Sequence, residues 1–271
     1  MKKGKILGVA IALILLAGAG FFLHLALGEQ QDATAPAENN AATPSVAETT
    51  QQQTEPQNQP QSEPQTQTPA ATPAVEKKDI VLLDVPFVSQ APLAQWSNPL
   101  YQNACEEAAI LMAHLWTIGA KPISANEATT ELAVMSAFED SNFGFFYDLS
   151  TPDTAELMQK YYNYDKITVK DNITAQDMIN ELQKGNVLIV PMNGQELNNP
   201  YYTAPGPAEH KILVKGYDFN TKEFITNDPG TRHGENYRYP EDVFFNAIRE
   251  YPTGYKEPIT SIEKMMMVVS K

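Results

Sequence analysis

From residue 29 to residue 78 the chain carries no aromatic side chain and hardly a large aliphatic one. Gln, Pro, Ala, Thr and Glu dominate, as in Gln51-Gln52-Gln53-Thr54-Glu55-Pro56. Such a stretch cannot bury enough apolar surface to offset the entropy lost on ordering. It is expected to be a disordered linker, extended at its prolines, with an r.m.s. reach of roughly 40 Å. A fold must therefore be built from residues 79–271, and residues 1–28 need a separate account.

Those first residues open with Lys2, Lys3 and Lys5, followed by an apolar run from residue 6 to residue 27 that only His24 interrupts. As a helix the run would reach roughly 33 Å, enough for a bilayer core, with the basic end on the cytoplasmic side. The alternative is a cleaved signal peptide, since Ala26-Leu27-Gly28 offers small residues at a cleavage spacing. The apolar region is long for that, about 7–15 residues being usual, so an uncleaved signal anchor is favoured. Either way the rest of the chain is exported: anchored in the cell membrane and extracytoplasmic, or secreted if cleaved. No cysteine follows the run, which excludes a lipoprotein anchor.

The formal net charge is −14, made up of +3 in residues 1–28, −5 in the linker and −12 in residues 79–271. An acidic domain lacks the basic face that binding nucleic acid requires. The chain has one cysteine, Cys105. That excludes an internal disulfide framework and a multi-cysteine zinc site.

Residues 79–271 read as one domain. An apolar strand is expected over residues 80–88. A helix over 103–118 is apolar throughout and stops at Gly119. The pattern Ser124-Ala125-Asn126-Glu127 is a capping box that opens a helix to residue 138. Thr151-Pro152 opens a third helix, with Thr151 as its cap. A fourth covers 174–184, ended by Gly185. Residues 187–192 form a buried strand. Residues 210–217 and 223–227 form a hairpin around Phe219-Asn220-Thr221-Lys222. A last helix over 240–251 and a closing strand over 262–269 complete the domain. Helices come first and antiparallel strands second, which predicts an α+β fold.

Cys105 starts the apolar helix, where unpaired N–H groups and the helix dipole favour a thiolate. Glu106 and Glu107 suit that dipole but oppose a neighbouring thiolate, so a cation is needed, and a histidine would supply it. His114 is nine residues further on and faces the opposite side of the helix, at the surface or the core edge. His233 lies in a loop and is expected to be solvated. His210 starts a strand after a loop rich in Asn, Pro and Tyr, where it can face a helix N-terminus across a cleft. If Asp218 pairs with Lys222 around the turn, Asp228 lies opposite Ile212 and diagonal to His210 on the same face, about 7–8 Å away. A carboxylate there would orient the imidazole and stabilise its charged form. For an oxyanion, Gln90 and Gln102 are both available side-chain amides. Aromatics among residues 96–101 and Tyr201-Tyr202 are candidates to line the cleft.

Three blocks together resemble a known family. They are Asp84-Val85-Pro86-Phe87-Val88-Ser89-Gln90, Ala104-Cys105-Glu106-Glu107-Ala108, and His210 followed by Gly216-Tyr217-Asp218 and Asn227-Asp228-Pro229-Gly230. The sequence is similar to the bacteriocin-processing-peptidase-like branch of the papain-like cysteine peptidases over nearly all of residues 80–271. The resemblance implies a papain-like fold, N-terminal helices packed on a C-terminal antiparallel sheet. It implies Cys105 as nucleophile, His210 as base, Asp228 as orienting carboxylate and Gln90 as oxyanion donor. Many members have glycine after the cysteine, where this chain has Glu106, which suggests a subgroup with altered specificity. The expected reaction is acyl transfer from peptide or protein substrates, without metal or cofactor. A monomer is expected, with the membrane contacted through the N-terminal segment. A cell-wall peptide amidase or transpeptidase on the same fold, and a non-catalytic peptide-binding module, are the alternatives.

Overall fold

A computed structural model describes residues 79–144, 147–254 and 259–271. The expected anchor and linker lie outside the described residues. Among the described residues no helix is long and apolar enough to cross a membrane.

Two strands without a polar position, β3 (Val187–Met192) and β7 (Met266–Val269), are buried along their whole length. Successive side chains of a strand point to opposite faces, so an uninterrupted apolar run needs cover on both. Val187, Ile189, Met267 and Val269 enter one core, and Leu188, Val190, Met192, Met266 and Val268 enter another. On the first face lie α2 (Cys105–Thr117), α3 (Ala125–Phe143) and α4 (Thr151–Tyr162), and on the second α5 (Ala175–Gln183) and α6 (Glu241–Ala247). A short α1 (Pro99–Gln102) leads into α2.

The sheet order is β2 (Ile167–Lys170), β7, β3, β4 (His210–Asp218), β5 (Glu223–Asn227) and β6 (Tyr237–Pro240), and every pairing is antiparallel. The strand β1 (Ile80–Leu82) pairs with the end of β4 beyond β3. A Cβ on Gly216 would meet the Val81 carbonyl oxygen at 2.4 Å, so glycine is required where β1 comes in.

The expected α+β arrangement is present, with differences that have physical causes. The first strand stops at Leu82 instead of continuing to Val88. Beyond it, side chains replace strand partners: Lys215 Nζ and Asn227 Nδ2 each donate to the Val85 carbonyl at 3.1 Å. The helix expected from residue 103 begins at Cys105, after α1 is capped by Asn98. The capping box of Ser124 and Glu127 forms both its bonds, but α3 runs on to Phe143 and ends at left-handed Gly144. Ser150, not Thr151, caps α4, because the Thr151 N–H and hydroxyl are taken by Glu250. The last helix is shorter than expected, as is β7, whose expected start Ile262 is 78% exposed. Strands β2 and β6 were not anticipated; each has four residues and a mixed polar pattern. His114 is buried, not at the surface, and stacks on Tyr162 at 3.7 Å; burial lowers its pKa to about 4.

Candidate active site

Every position of α2 from Cys105 to Trp116 is buried, which places this helix at the centre of the first core. Its N-cap, Ala104, has no side-chain acceptor, so the first-turn N–H groups remain unsatisfied by a cap around the Cys105 sulfur. The thiol is 4% exposed and donates to Glu106 Oε2 at 3.0 Å. Burial, then the Glu106 charge and this hydrogen bond, push the thiol pKa well up. Asp148 adds to the rise, and a main-chain hydrogen bond from Lys211 opposes it.

His210, the first residue of β4, is 1% exposed, and its Nε2 lies 2.9 Å from Asp228 Oδ1. An imidazole that donates to Asp228 from Nε2 turns Nδ1 away from the carboxylate. The register that brings these two together has an offsetting pair of irregularities. Asp218 pairs with Glu223, one residue beyond the expected Lys222, and a bulge between Val214 and Gly216 then restores the shift. Leu213 consequently pairs with Asn227, which puts Asp228 opposite Ile212 as the sequence predicted.

The Asp228 carboxylate is fully buried and receives five donors. Oδ1 takes His210 and the Gly230 N–H at 3.0 Å. Oδ2 takes the hydroxyls of Tyr202 at 2.5 Å and Tyr239 at 2.6 Å, and Asn199 Nδ2 at 3.2 Å. Burial alone would raise this pKa, but the His210 charge and the hydrogen bonds outweigh it and hold the group below the usual carboxylate range. Burial, followed by the Asp228 charge, raises the pKa of both tyrosines, so they remain donors. Asn199 and Tyr239 were missed from sequence: one lies in an irregular loop and the other on the unanticipated β6. Only Tyr202 had been singled out, as a cleft aromatic.

Gly230 permits the imidazole to sit there, since a Cβ on it would lie 2.9 Å from His210 Cε1 and 3.2 Å from Tyr202 Cε1. Gln90 is 6% exposed, and its Nε2 donates to the Tyr101 and Gln102 carbonyls at 3.0 Å each, while its Oε1 has no hydrogen-bond partner among the described residues. Gln102 is exposed.

Cys105, His210, Gln90 and Gln102 line one cleft of about 710 Å3, together with Trp96, Tyr201, Tyr202, Arg232 and His233. His233 is exposed, as expected, and stacks on Tyr201 at 4.2 Å. Among the described residues no group of three or more His, Cys, Asp or Glu is placed to hold a metal ion.

Below the cysteine lies a buried acidic cluster that the sequence did not disclose. Glu106, Glu107 and Glu139 are each 1% exposed. Tyr251 donates to Glu106 Oε1 at 3.0 Å, and Ser136 donates to Glu107. Burial and the charge of Glu106 raise the pKa of Glu107, and burial with the charges of Glu107 and Glu106 raises that of Glu139. Buried Lys211 places its ammonium 4.1 Å from the Tyr251 ring centroid and donates to the Leu149 carbonyl at 2.6 Å.

A helix-borne cysteine and a strand-borne histidine sharing one cleft is the layout of a papain-like cysteine peptidase. The Peptidase_C39 like family model matches residues 82–256, and the chain belongs to that family. It is accordingly a cysteine peptidase, a hydrolase of peptide bonds. A solved structure of a C39-like peptidase candidate from Bacillus anthracis is similar at 14% identity and a TM-score of 0.39, covering 71% of this chain and 98% of that one. A search of the curated proteins finds no match.

Proposed function

We propose that the chain is an exported, membrane-tethered cysteine peptidase that works through Cys105, His210 and Asp228. The observation that carries the triad is the 2.9 Å contact of His210 Nε2 with Asp228 in a cleft that Cys105 also lines. His210 Nδ1 takes the thiol proton, and the thiolate attacks the substrate carbonyl. The Cys105 N–H and the Gln90 amide receive the oxyanion. To do so the Gln90 amide must release one of the two carbonyls it now meets; Gln102 is the alternative donor. His210 then protonates the leaving amine, and water hydrolyses the thioester. Asp228 holds the imidazole in the required tautomer and supports its charge. In the resting arrangement the thiol proton points to Glu106, so attack begins when the sulfur turns from Glu106 to His210.

Because Cys105 is the single cysteine in the chain, alkylation by iodoacetamide reports on it alone. The expected result is peptide cleavage that Cys105→Ala and His210→Ala each abolish, with the wild-type thiol alkylating near pH 7 at a rate that His210→Ala lowers. Peptide cleavage that survives His210→Ala would overturn the triad. The tether rests on Lys2, Lys3, Lys5 and the apolar run 6–27. It predicts recovery in the membrane fraction, with the domain cleavable by protease added outside the cell.

A further inference from the structure

The chain has three arginines. Arg238 pairs with Asp218 at 2.9 Å and Glu223 at 3.1 Å, and Arg249 pairs with Glu196 at 3.0 Å. Arg232 is exposed, lines the cleft and forms no ion pair with the described residues. In a domain of net charge −12, an arginine left without an acidic partner beside the reacting groups is a notable departure.

Its loop is also built rigidly. The Asp228 N–H donates to the Gly234 carbonyl at 3.0 Å, and a Cβ on Gly234 would lie 1.8 Å from the Asp228 carbonyl oxygen. The Gln90 N–H donates to the Pro229 carbonyl at 3.0 Å, and the His233 N–H to Thr231 Oγ1 at 3.1 Å. Arg232 therefore rides on a closed loop that also carries Asp228 and Gly230, so its backbone position is set relative to His210. The acidic residues of the cleft lining, Asp148 and Glu209, each have an interaction within the chain.

We propose that Arg232 selects substrates that place a carboxylate near the scissile bond, so that the enzyme prefers acidic peptides. The inference rests on the peptidase reading of the cleft and adds a substrate class to it. A guanidinium presents a planar fork that matches a carboxylate with two parallel hydrogen bonds. Because the domain as a whole repels anions, an acidic substrate gains its advantage by contact with this one cation and not by long-range steering. The carboxylate can come from a Glu or Asp side chain or from the C-terminus of the peptide.

The experiment compares peptides that carry Glu or Gln at each position around the cleaved bond, and peptides ending in a free acid or an amide. The same pairs are tested for binding to Cys105→Ala by fluorescence anisotropy, which needs no turnover. The expected kcat/KM ratio of acid over amide is about tenfold at one position. The Glu/Gln arm and the terminal arm tell the two sources apart. Arg232→Gln should bring the ratio close to one, and Arg232→Glu should invert it. Lys222→Gln, which removes a charge at the far turn of the hairpin, should preserve it. Equal turnover and equal binding of both peptides, or a ratio that survives Arg232→Gln, overturns the proposal while leaving the peptidase reading intact. Absence of cleavage together with absence of any acid preference in binding overturns both.

Discussion

Replacing Glu106 with glutamine tests how the buried acid beside Cys105, the proposed nucleophile, controls its thiol. The carboxylate accepts the Cys105 thiol at 3.0 Å, and its other oxygen accepts from Tyr251 at 3.0 Å. Burial first, then the Glu106 charge and the hydrogen bond it accepts from the sulfur, hold Cys105 as a protonated thiol. A thiolate and a carboxylate at that separation repel by about 5 kcal/mol at an effective dielectric of about 20, before any relaxation. Recovering about 1.4 kcal/mol of this raises the thiolate fraction about tenfold at a given pH. Glutamine keeps the shape, can still accept from Tyr251, and can donate an N–H to the sulfur.

The assay is the rate of iodoacetamide alkylation between pH 6 and 9, read by intact mass. Glu106→Gln should alkylate about tenfold faster near pH 7, and its rate should reach a plateau at lower pH. Its melting temperature should not fall, because the substitution also removes a charge that opposes ionisation of Glu107 and Glu139. An unchanged or slower alkylation rate in a variant that melts like the wild type would refute the reasoning. It would mean that the neighbouring carboxylate does not govern the thiol.

Tyr239→Phe removes one of five donors from a fully buried carboxylate. It should destabilise by about 1.5–3 kcal/mol, seen in thermal melts, and lower kcat/KM, because hydrogen bonds to charged groups are worth that much. Gly230→Ala pushes a methyl to 2.9 Å from His210 Cε1, so kcat/KM should fall on the order of 100-fold with a small change in melting temperature. Glu139 has its folded pKa raised from 4.5, so it favours the native state at low pH and loses that contribution as pH rises from 4.5 toward the folded value. Glu139→Gln should therefore stabilise more, relative to wild type, as melts are run at higher pH. His114 has the opposite sign: its pKa falls from 6.5 to about 4. Its contribution is present above 6.5 and is lost as pH falls toward 4, so His114→Phe should flatten acid destabilisation in that window.

What could be read from the sequence follows from range. Strand β3 was legible to the residue because burial on both faces leaves an uninterrupted apolar signature. The capping box at Ser124 and the left-handed Gly185 were legible because their chemistry lies within a few residues. Strands β2 and β6 have no such local signature and owe their existence to the strands they pair with. The burial of Glu106 and Glu107 was not legible for a related reason. Acids in a first helical turn look satisfied by the dipole, and only the enclosure of α2 on all sides turns them into desolvated groups.

The hairpin carrying His210 and Asp228 shows why a partly wrong local reading could still anticipate that these two side chains meet. The turn ends one residue later than expected, which would put every side chain of β5 on the wrong face if it persisted. The bulge at Lys215 absorbs the extra residue where β3 ends and β1 joins the same edge of β4. The Leu83 N–H meets the Lys215 carbonyl at 2.9 Å, and the Lys215 ammonium meets the Val85 carbonyl. The bulge therefore does two jobs: it lets the early segment leave the sheet and run on to Gln90, and it returns Asp228 to the register that faces His210. A substitution that straightened β4 there would disturb Gln90 and Asp228 together, although Lys215 is not among the residues lining the cleft. Lys215→Pro would remove the N–H at the bulge and fix φ, so it should uncouple the His210–Asp228 pair. The loss would appear as a lower kcat/KM at every pH, with Cys105 still present for slow alkylation.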